Sequence, residues 1–96
     1  MRHTFIVSYD IADPKRLRKV FKACQDYGNH LQYSVFECDL NARERVELED
    51  KLRNVIHHDD DQVLFILLGL AESRGDRTII ALGQAYHHFD QPCYVV

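Results

Sequence analysis

The sequence lacks paired cysteines and long apolar runs. Cys24, Cys38 and Cys93 are odd in number, widely spaced and form no Cys-x-x-Cys pair, so they offer no zinc site and suit the free thiols of a reducing cytoplasm. The longest apolar run, residues 63–68, is far shorter than the roughly 20 residues of a membrane-spanning helix. The first residues resemble a strand rather than a signal peptide. We therefore expect a cytoplasmic protein with no membrane partner.

Positive charge is scarce overall but concentrated locally. Twelve basic residues against fifteen acidic ones give a net charge of −3, which excludes a wholly basic nucleic-acid binder. Within residues 15–22, however, there is no acid, and the segment holds Lys15, Arg16, Arg18, Lys19 and Lys22. Such a cluster can meet a polyanion locally even though the whole protein repels it at long range. A solvated helix face is the alternative interpretation.

The apolar pattern predicts two helices among several strands. Asp13 and Pro14 have the N-cap and first-turn chemistry of a helix whose apolar stripe runs to Cys24 and which ends at Gly28 as the C′ residue. A second helix is predicted from Asn41, with Glu44 completing a capping box, to about residue 57. Strands are predicted over residues 3–9, 29–40, 62–70, 78–82 and 92–96, with a loop over 83–91.

Together these elements predict a single domain over residues 1–96. Ninety-six residues can bury one core but not two. Residues 29–40 form either one long strand or two short strands bent near position 33, and the nearly continuous apolar run over 62–70 is typical of a central strand. The first strand is apolar on both faces, so we expect both to be covered. The order β-α-β-(β)-α-β-β is typical of ferredoxin-like α+β folds.

Three motifs resemble those of the CRISPR-associated Cas-two family. They are Ser-Tyr-Asp-Ile at residues 8–11, Lys-Arg-Leu-Arg-Lys-Val at 15–20 and Gln-Tyr-Ser-Val-Phe-Glu at 32–37, in matching order and spacing. The resemblance is close over the first 40 residues and extends to the layout of the rest. It implies a ferredoxin-like homodimer, two short strands in 29–40, and a C-terminal strand over 92–96 that pairs with the partner subunit.

Asp10 is the candidate catalytic residue and metal ligand. It ends the first strand beside a helix N-terminus, and by alternation it shares a sheet face with Ile6 and Ser8. One carboxylate does not hold a catalytic Mg²⁺ or Mn²⁺ alone, but a two-fold axis brings the same residue of two subunits together. The family resemblance also implies a metal ligand at this position. A turn acid that caps local backbone is the alternative.

Several other residues are candidates for supporting roles. Arg16 and Arg18 have forked guanidinium groups suited to phosphate, and Lys15 and Lys19 would add salt-sensitive affinity for RNA or double-stranded DNA. Ser8 shares the face of Asp10, whereas Tyr9 points to the other face and is expected to pack. Asp13 is expected to cap the helix rather than bind metal. Ser34 and Phe36 match a family motif, with core or dimer-interface packing as the alternative.

Three functions remain compatible with these residues. The first is a metal-dependent endonuclease that cleaves RNA or DNA at paired Asp10 residues. The second is a non-catalytic dimeric scaffold for spacer acquisition that bridges copies of a larger integrase of the Cas-one type. The third is a toxin-type RNase resembling virulence-associated protein D. The pairs His57-His58 and His87-His88 have no defined metal-motif spacing, so they are not assigned to a site.

Overall fold

In the part of the chain that the structure describes, two helices pack on one face of an antiparallel sheet. The structure is a computed structural model that describes residues 1–71, 86–88 and 91–94. Its elements are β1 (His3–Asp10), α1 (Pro14–Gln25), β2 (Asn29–Gln32), β3 (Val35–Leu40), α2 (Ala42–Arg53), β4 (Gln62–Leu70), β5 (Tyr86–His88) and β6 (Gln91–Tyr94). The first four strands form a sheet in the order β2-β3-β1-β4. This order and the βαββαβ succession confirm the predicted ferredoxin-like α+β fold.

The core lies between the helices and the face of the sheet that carries alternate residues of β1 and β3. Its members are all at most 4% exposed: Val7, Tyr9, Val20, Cys24, Phe36, Cys38, Leu40, Leu48 and Leu52. Cys24 and Cys38 are free thiols inside this core, as expected of small buried hydrophobes. Burial raises the pKa of each to about 12. Cys93 belongs to β6, whose side chains lie outside the described part of the chain.

The starts of both helices follow the predicted capping chemistry. Asp13 accepts a hydrogen bond from the Arg16 backbone N–H at 2.9 Å, and Pro14 occupies the first turn. Asn41 and Glu44 form the complete capping box of α2. The predicted apolar stripe of α1 consists of Leu17, Val20, Phe21 and Cys24. Val20 and Cys24 are buried and Phe21 packs against the core, whereas Leu17 is 39% exposed.

The predicted ends of the helices were wrong. The C-cap of α1 is Asp26, so Gly28 is not the C′ residue. A glycine is required at position 28 because a Cβ there would overlap the Cys38 Sγ atom, so only a bare backbone fits against β3. Helix α2 ends at Arg53 rather than near residue 57, and the next apolar residues pack against the core from the following turn.

Residues 29–40 form two strands, as the resemblance implied. The bend falls at Tyr33 and Ser34, and Tyr33 has a positive φ of 36°. Such a φ is costly for any residue with a Cβ and is more often found at glycine or asparagine.

Strand β4 is not central among the described strands, contrary to the prediction from its apolar run. It pairs with β1 on one side and forms the edge of the sheet. Its alternate residues Val63 and Phe65 pack against the core, whereas Leu64 and Ile66 are each 46% exposed on the face away from the helices. The covering of both faces was predicted for β1, whose Ile6 and Ser8 are half-buried on this face, so the exposed β4 residues do not test it and it stays a prediction.

The C-terminal part contains a short hairpin. β5 pairs with β6 antiparallel, so residues 86–88 are a strand where a loop was predicted over 83–91. The strand predicted over 78–82 lies outside the described residues. The pairing of residues 92–96 with a partner subunit stays a prediction.

Candidate functional site

Asp10 ends β1 with an exposed carboxylate. Its neighbour across the sheet is Gln62 of β4. The side chain makes no hydrogen bond or ion pair with any residue that the structure describes, so it does not cap the loop that follows. It lies on the face opposite the helices, which is the face of Ser8 and Ile6, because β1 alternates and its other residues enter the core.

The loop after Asp10 is fixed by a different carboxylate, which the sequence interpretation missed. Asp61 accepts hydrogen bonds from the Ala12 backbone N–H at 2.9 Å and the His57 backbone N–H at 2.8 Å. It also accepts from Arg16 Nε at 2.7 Å and Nη2 at 3.2 Å. The Asp61 side chain is 0% exposed. We call these groups the Asp61 lock; they join α1, the β1–α1 loop and the start of β4.

Electrostatics strengthen the Asp61 lock. The Arg16 guanidinium holds the pKa of the Asp61 carboxyl well below its usual range, and the two backbone donors act in the same direction. The hydrogen bond that Arg16 donates to Asp61 in turn raises the pKa of Arg16. The sequence disguised this role, because Asp61 is the last of three adjacent aspartates and the run is typical of a polar turn. Its position just before β4, the neighbour of β1, is the signal that could have identified it.

The basic residues of α1 divide into one that is engaged and several that are free. The Nε–Nη2 edge of Arg16 binds Asp61, so a phosphate contact by Arg16, which stays a prediction, would have to use Nη1 or the second N–H of Nη2. The remaining basic side chains are exposed and form no ion pair with a described residue: Lys15, Arg18, Lys19 and Lys22. Because α1 covers the opposite face of the sheet, this basic surface and the Asp10 carboxylate do not share a face.

The supporting candidates occupy both faces. Tyr9 is 4% exposed and stacks on Phe36 with ring centroids 6.3 Å apart, which confirms its packing role. Burial, followed by the nearby Cys24, raises the pKa of Tyr9 to about 12. Phe36 is a core residue at 0% exposure. The Ser34 backbone carbonyl accepts a hydrogen bond from the Tyr9 backbone N–H at 3.0 Å, and Ser8 lies half-buried between Val35 and Leu64.

An apolar patch adjoins Asp10 on the open sheet face. Ser8 is paired with Leu64, and Ile6 is paired with Ile66, so these side chains follow Asp10 along one face. Leu64 and Ile66 keep 46% of their surface exposed. We call Ile6, Leu64 and Ile66 the open-face patch. A row of exposed aliphatic side chains of this kind is typical of a surface that a protein partner covers.

The donor chemistry at Asp10 fits a hard divalent cation. An unengaged carboxylate supplies the oxygen ligand that Mg²⁺ prefers, and exposure leaves room for water and a phosphate oxygen.

Within the described residues, no group of three or more His, Cys, Asp or Glu side chains could hold a metal ion. His57 Nδ1 lies 3.4 Å from Asp60, and His58 is exposed; the side chains of His87 and His88 lie outside the described part. Neither described helix has the length and hydropathy of a membrane-spanning segment.

The fold and the site define a small ferredoxin-like protein that displays an acidic residue on an open sheet face and a basic helix on the other. The sequence profile of the family described as CRISPR associated protein Cas2 matches residues 1–74. The chain belongs to this family.

Individual relatives support the same family assignment. The chain is 38% identical to the CRISPR-associated endoribonuclease Cas2 1 of Rhodospirillum rubrum over 94 residues, which is 98% of this chain and 91% of the relative. It is 40% identical to the CRISPR-associated endoribonuclease Cas2 of Geobacter sulfurreducens over 73 residues, or 76% of this chain and 77% of the relative. The crystal structure of Streptococcus pyogenes Cas2 at pH 6.5 superposes with a TM-score of 0.67 at 38% identity, covering 79% of this chain and 98% of that one.

Proposed function

We propose that this chain is a metal-dependent nuclease that acts as a homodimer, with the Asp10 carboxylates of two subunits facing each other. The observation that carries the proposal is that Asp10 lies on the same sheet face as the exposed aliphatic side chains of the open-face patch. Relatives bearing the names CRISPR-associated endoribonuclease and CRISPR-associated endonuclease support hydrolysis of a phosphodiester in RNA or DNA. Family membership favours this function over the toxin-type RNase.

A dimer interface at the open-face patch would supply the second carboxylate, because each subunit contributes its own Asp10. In an isologous interface the same patch meets itself, so a residue near the two-fold axis approaches its own copy. Covering Leu64 and Ile66 in both subunits removes apolar surface from water and brings the ends of the two β1 strands together. The paired Asp10 side chains would then hold one Mg²⁺ or Mn²⁺.

A metal ion held by the Asp10 carboxylates would neutralise charge at the scissile phosphodiester and would lower the pKa of a bound water. The chain's own contribution is positional. Asp10 provides the ligand oxygen, and the Asp61 lock fixes the loop that follows it through the Ala12 N–H. The free cations of α1 attract the phosphate backbone without regard to sequence.

The decisive experiment compares Asp10→Asn with wild type in a cleavage assay on single-stranded RNA and on double-stranded DNA with Mg²⁺. Asparagine keeps the size of the side chain and removes its charge, so cleavage should fall by at least about 100-fold, since metal assistance is worth several kcal/mol. Asp59→Asn is the matched control, because Asp59 is also an exposed aspartate but lies in the turn before β4. Equal cleavage by Asp10→Asn and wild type would refute the proposal.

A scaffold in spacer acquisition is the second candidate, and the position of the basic surface favours it. Because Lys15, Arg18 and Lys19 lie on the helix side of the sheet, they can bind nucleic acid independently of Asp10. In this function the homodimer bridges copies of the larger Cas-one type integrase. An integration assay with that integrase separates the two candidates: Asp10→Asn retains integration if the scaffold function is independent of cleavage, whereas charge reversal at Arg18 and Lys19 abolishes it.

A further inference from the structure

A groove on the helix side of the molecule is not used by the proposed cleavage site. It has a volume of about 500 Å³ and lies between α1 and the β2–β3 turn. Leu17, Phe21 and Tyr33 line it together with Tyr9. Arg18 and Lys22 also line it, and no acidic residue is among the described residues that line it. We call it the α1 groove.

Tyr33 is placed in this groove at a conformational cost. Its φ of 36° lies in the left-handed region, where glycine or asparagine would be favoured at a tight strand-to-strand turn. The side chain is 80% exposed, so packing does not offset that cost. A large exposed aromatic ring at such a position presents a flat apolar surface to a ligand.

The groove has an apolar row beside a basic row. Leu17 and Phe21 are four residues apart on α1 and therefore lie on one helix face. Arg18 and Lys22 repeat this spacing one residue further along. A ligand that complements both rows has a flat apolar part next to a negative charge. A nucleotide has this combination in its base and its phosphate.

We propose that the α1 groove binds an unpaired nucleotide, with the base stacked on Tyr33 and the adjoining phosphate at Arg18 and Lys22. The inference rests on the proposed function, since it places a nucleic-acid strand near the end of β1. Tyr9 lines the groove and Asp10 follows it on the other face, so a strand anchored here continues around the end of β1 toward the carboxylate. Paired bases inside a duplex are stacked on each other and do not fit the groove, whereas unpaired RNA and unpaired DNA share the required chemistry.

The test measures binding without cleavage, by fluorescence anisotropy of the full chain in a chelating buffer. The probes are a short oligouridine RNA, an oligothymidine DNA, an abasic strand with the same number of phosphates, a blunt duplex, and an acidic peptide with one aromatic residue. The variants are Tyr33→Gly, Tyr33→Phe and Lys22→Gln, with Arg43→Gln on α2 as the matched charge control. Glycine accommodates the φ of position 33, so Tyr33→Gly should unfold at the wild-type temperature or above.

Wild type should bind both base-bearing strands more tightly than the abasic strand or the duplex. Tyr33→Gly should weaken only the base-bearing strands, by roughly 5- to 150-fold, the range for loss of one base–aromatic stack. Tyr33→Phe should bind as wild type does, because the ring is kept. Lys22→Gln should lower the affinity for base-bearing and abasic strands by the same factor. Arg43→Gln should leave the affinity for both kinds of strand unchanged.

Equal affinity for base-bearing and abasic strands would overturn the inference, as would unchanged binding by Tyr33→Gly. Selective binding of an acidic peptide with an aromatic residue, in place of the strands, would overturn it as well. The comparison of RNA with DNA identifies which source of unpaired nucleotides the groove prefers. The binding assay contains no metal, so a negative result in it would leave the cleavage proposal intact. If Asp10→Asn refuted the cleavage proposal, the stacking result would still stand.

Discussion

Replacing Ile66 with lysine should dissociate the proposed homodimer and abolish the proposed cleavage together. Ile66 is 46% exposed in the single chain and belongs to the open-face patch. Complete burial of an isoleucine side chain is worth about 1.5–3 kcal/mol, so covering the exposed half contributes about 1 kcal/mol in each subunit. Loss of about 2 kcal/mol from the two copies weakens the dimer by about 30-fold. Desolvation of two lysine charges at a shared interface adds further to this loss.

Sedimentation velocity over a range of protein concentrations measures the effect, and the cleavage assay is run on the same samples. Leu67→Lys is the matched control, because Leu67 is 59% exposed on the same strand but is paired with Phe5 and lines a cleft on the helix side. We expect Leu67→Lys to dimerise as wild type does. A monomeric wild type, or equal dissociation by the two lysine variants, would refute the argument that the open-face patch forms the interface.

Further predictions concern the packing and electrostatics that hold the site in place. Gly28→Ala should lower the free energy of unfolding by about 1–3 kcal/mol, measured by thermal or chemical denaturation, because the added Cβ would overlap the Cys38 Sγ atom; an unchanged midpoint would contradict it. The thiols of Cys24 and Cys38, whose pKa burial raises to about 12, should resist alkylation at about pH 8 until the protein unfolds, as read by peptide mass mapping. Wild type should be more stable than Asp61→Asn at neutral pH, because Arg16 lowers the pKa of the folded carboxyl, and the difference should shrink as the pH falls below the unfolded value of about 3.9. A stability difference that grew in acid would contradict the ion pair.

Much of the fold could be predicted because local chemistry specified it. Asp13 with Pro14, and Asn41 with Glu44, mark helix starts through short-range hydrogen bonds that the sequence displays directly. The end of α1 was harder to predict, because Gly28 is required by contact with β3, a later strand rather than the helix itself. A glycine selected by a tertiary contact looks the same in sequence as one selected by a helix terminus.

The position of β4 was misjudged because hydrophobic run length does not reveal what covers a strand. Val63 and Phe65 pack against this chain's core, whereas Leu64 and Ile66 are exposed. A run that is apolar on both faces predicts that both are covered, but it does not say whether the cover comes from the same chain.

Individual residues of the candidate site could be predicted from the sequence more readily than the contacts between them. Alternation along β1 placed Asp10 and Tyr9 on opposite faces, and the structure has the Tyr9 ring in the core and Asp10 exposed. The Asp61 lock escaped prediction, because pairing Arg16 with Asp61 requires knowing that the start of β4 lies beside the end of β1. Long-range ion pairs of this kind depend on the topology of the sheet, which a single sequence does not display.

Calorimetric titration of the wild-type protein with Mn²⁺, repeated on Asp10→Asn, tests the shared carboxylate pair most directly. If the Asp10 side chains of two subunits hold one ion, wild type should bind one Mn²⁺ for every two chains, and Asp10→Asn should bind none at that affinity. Binding of one ion per chain, or undiminished binding by Asp10→Asn, would contradict the account.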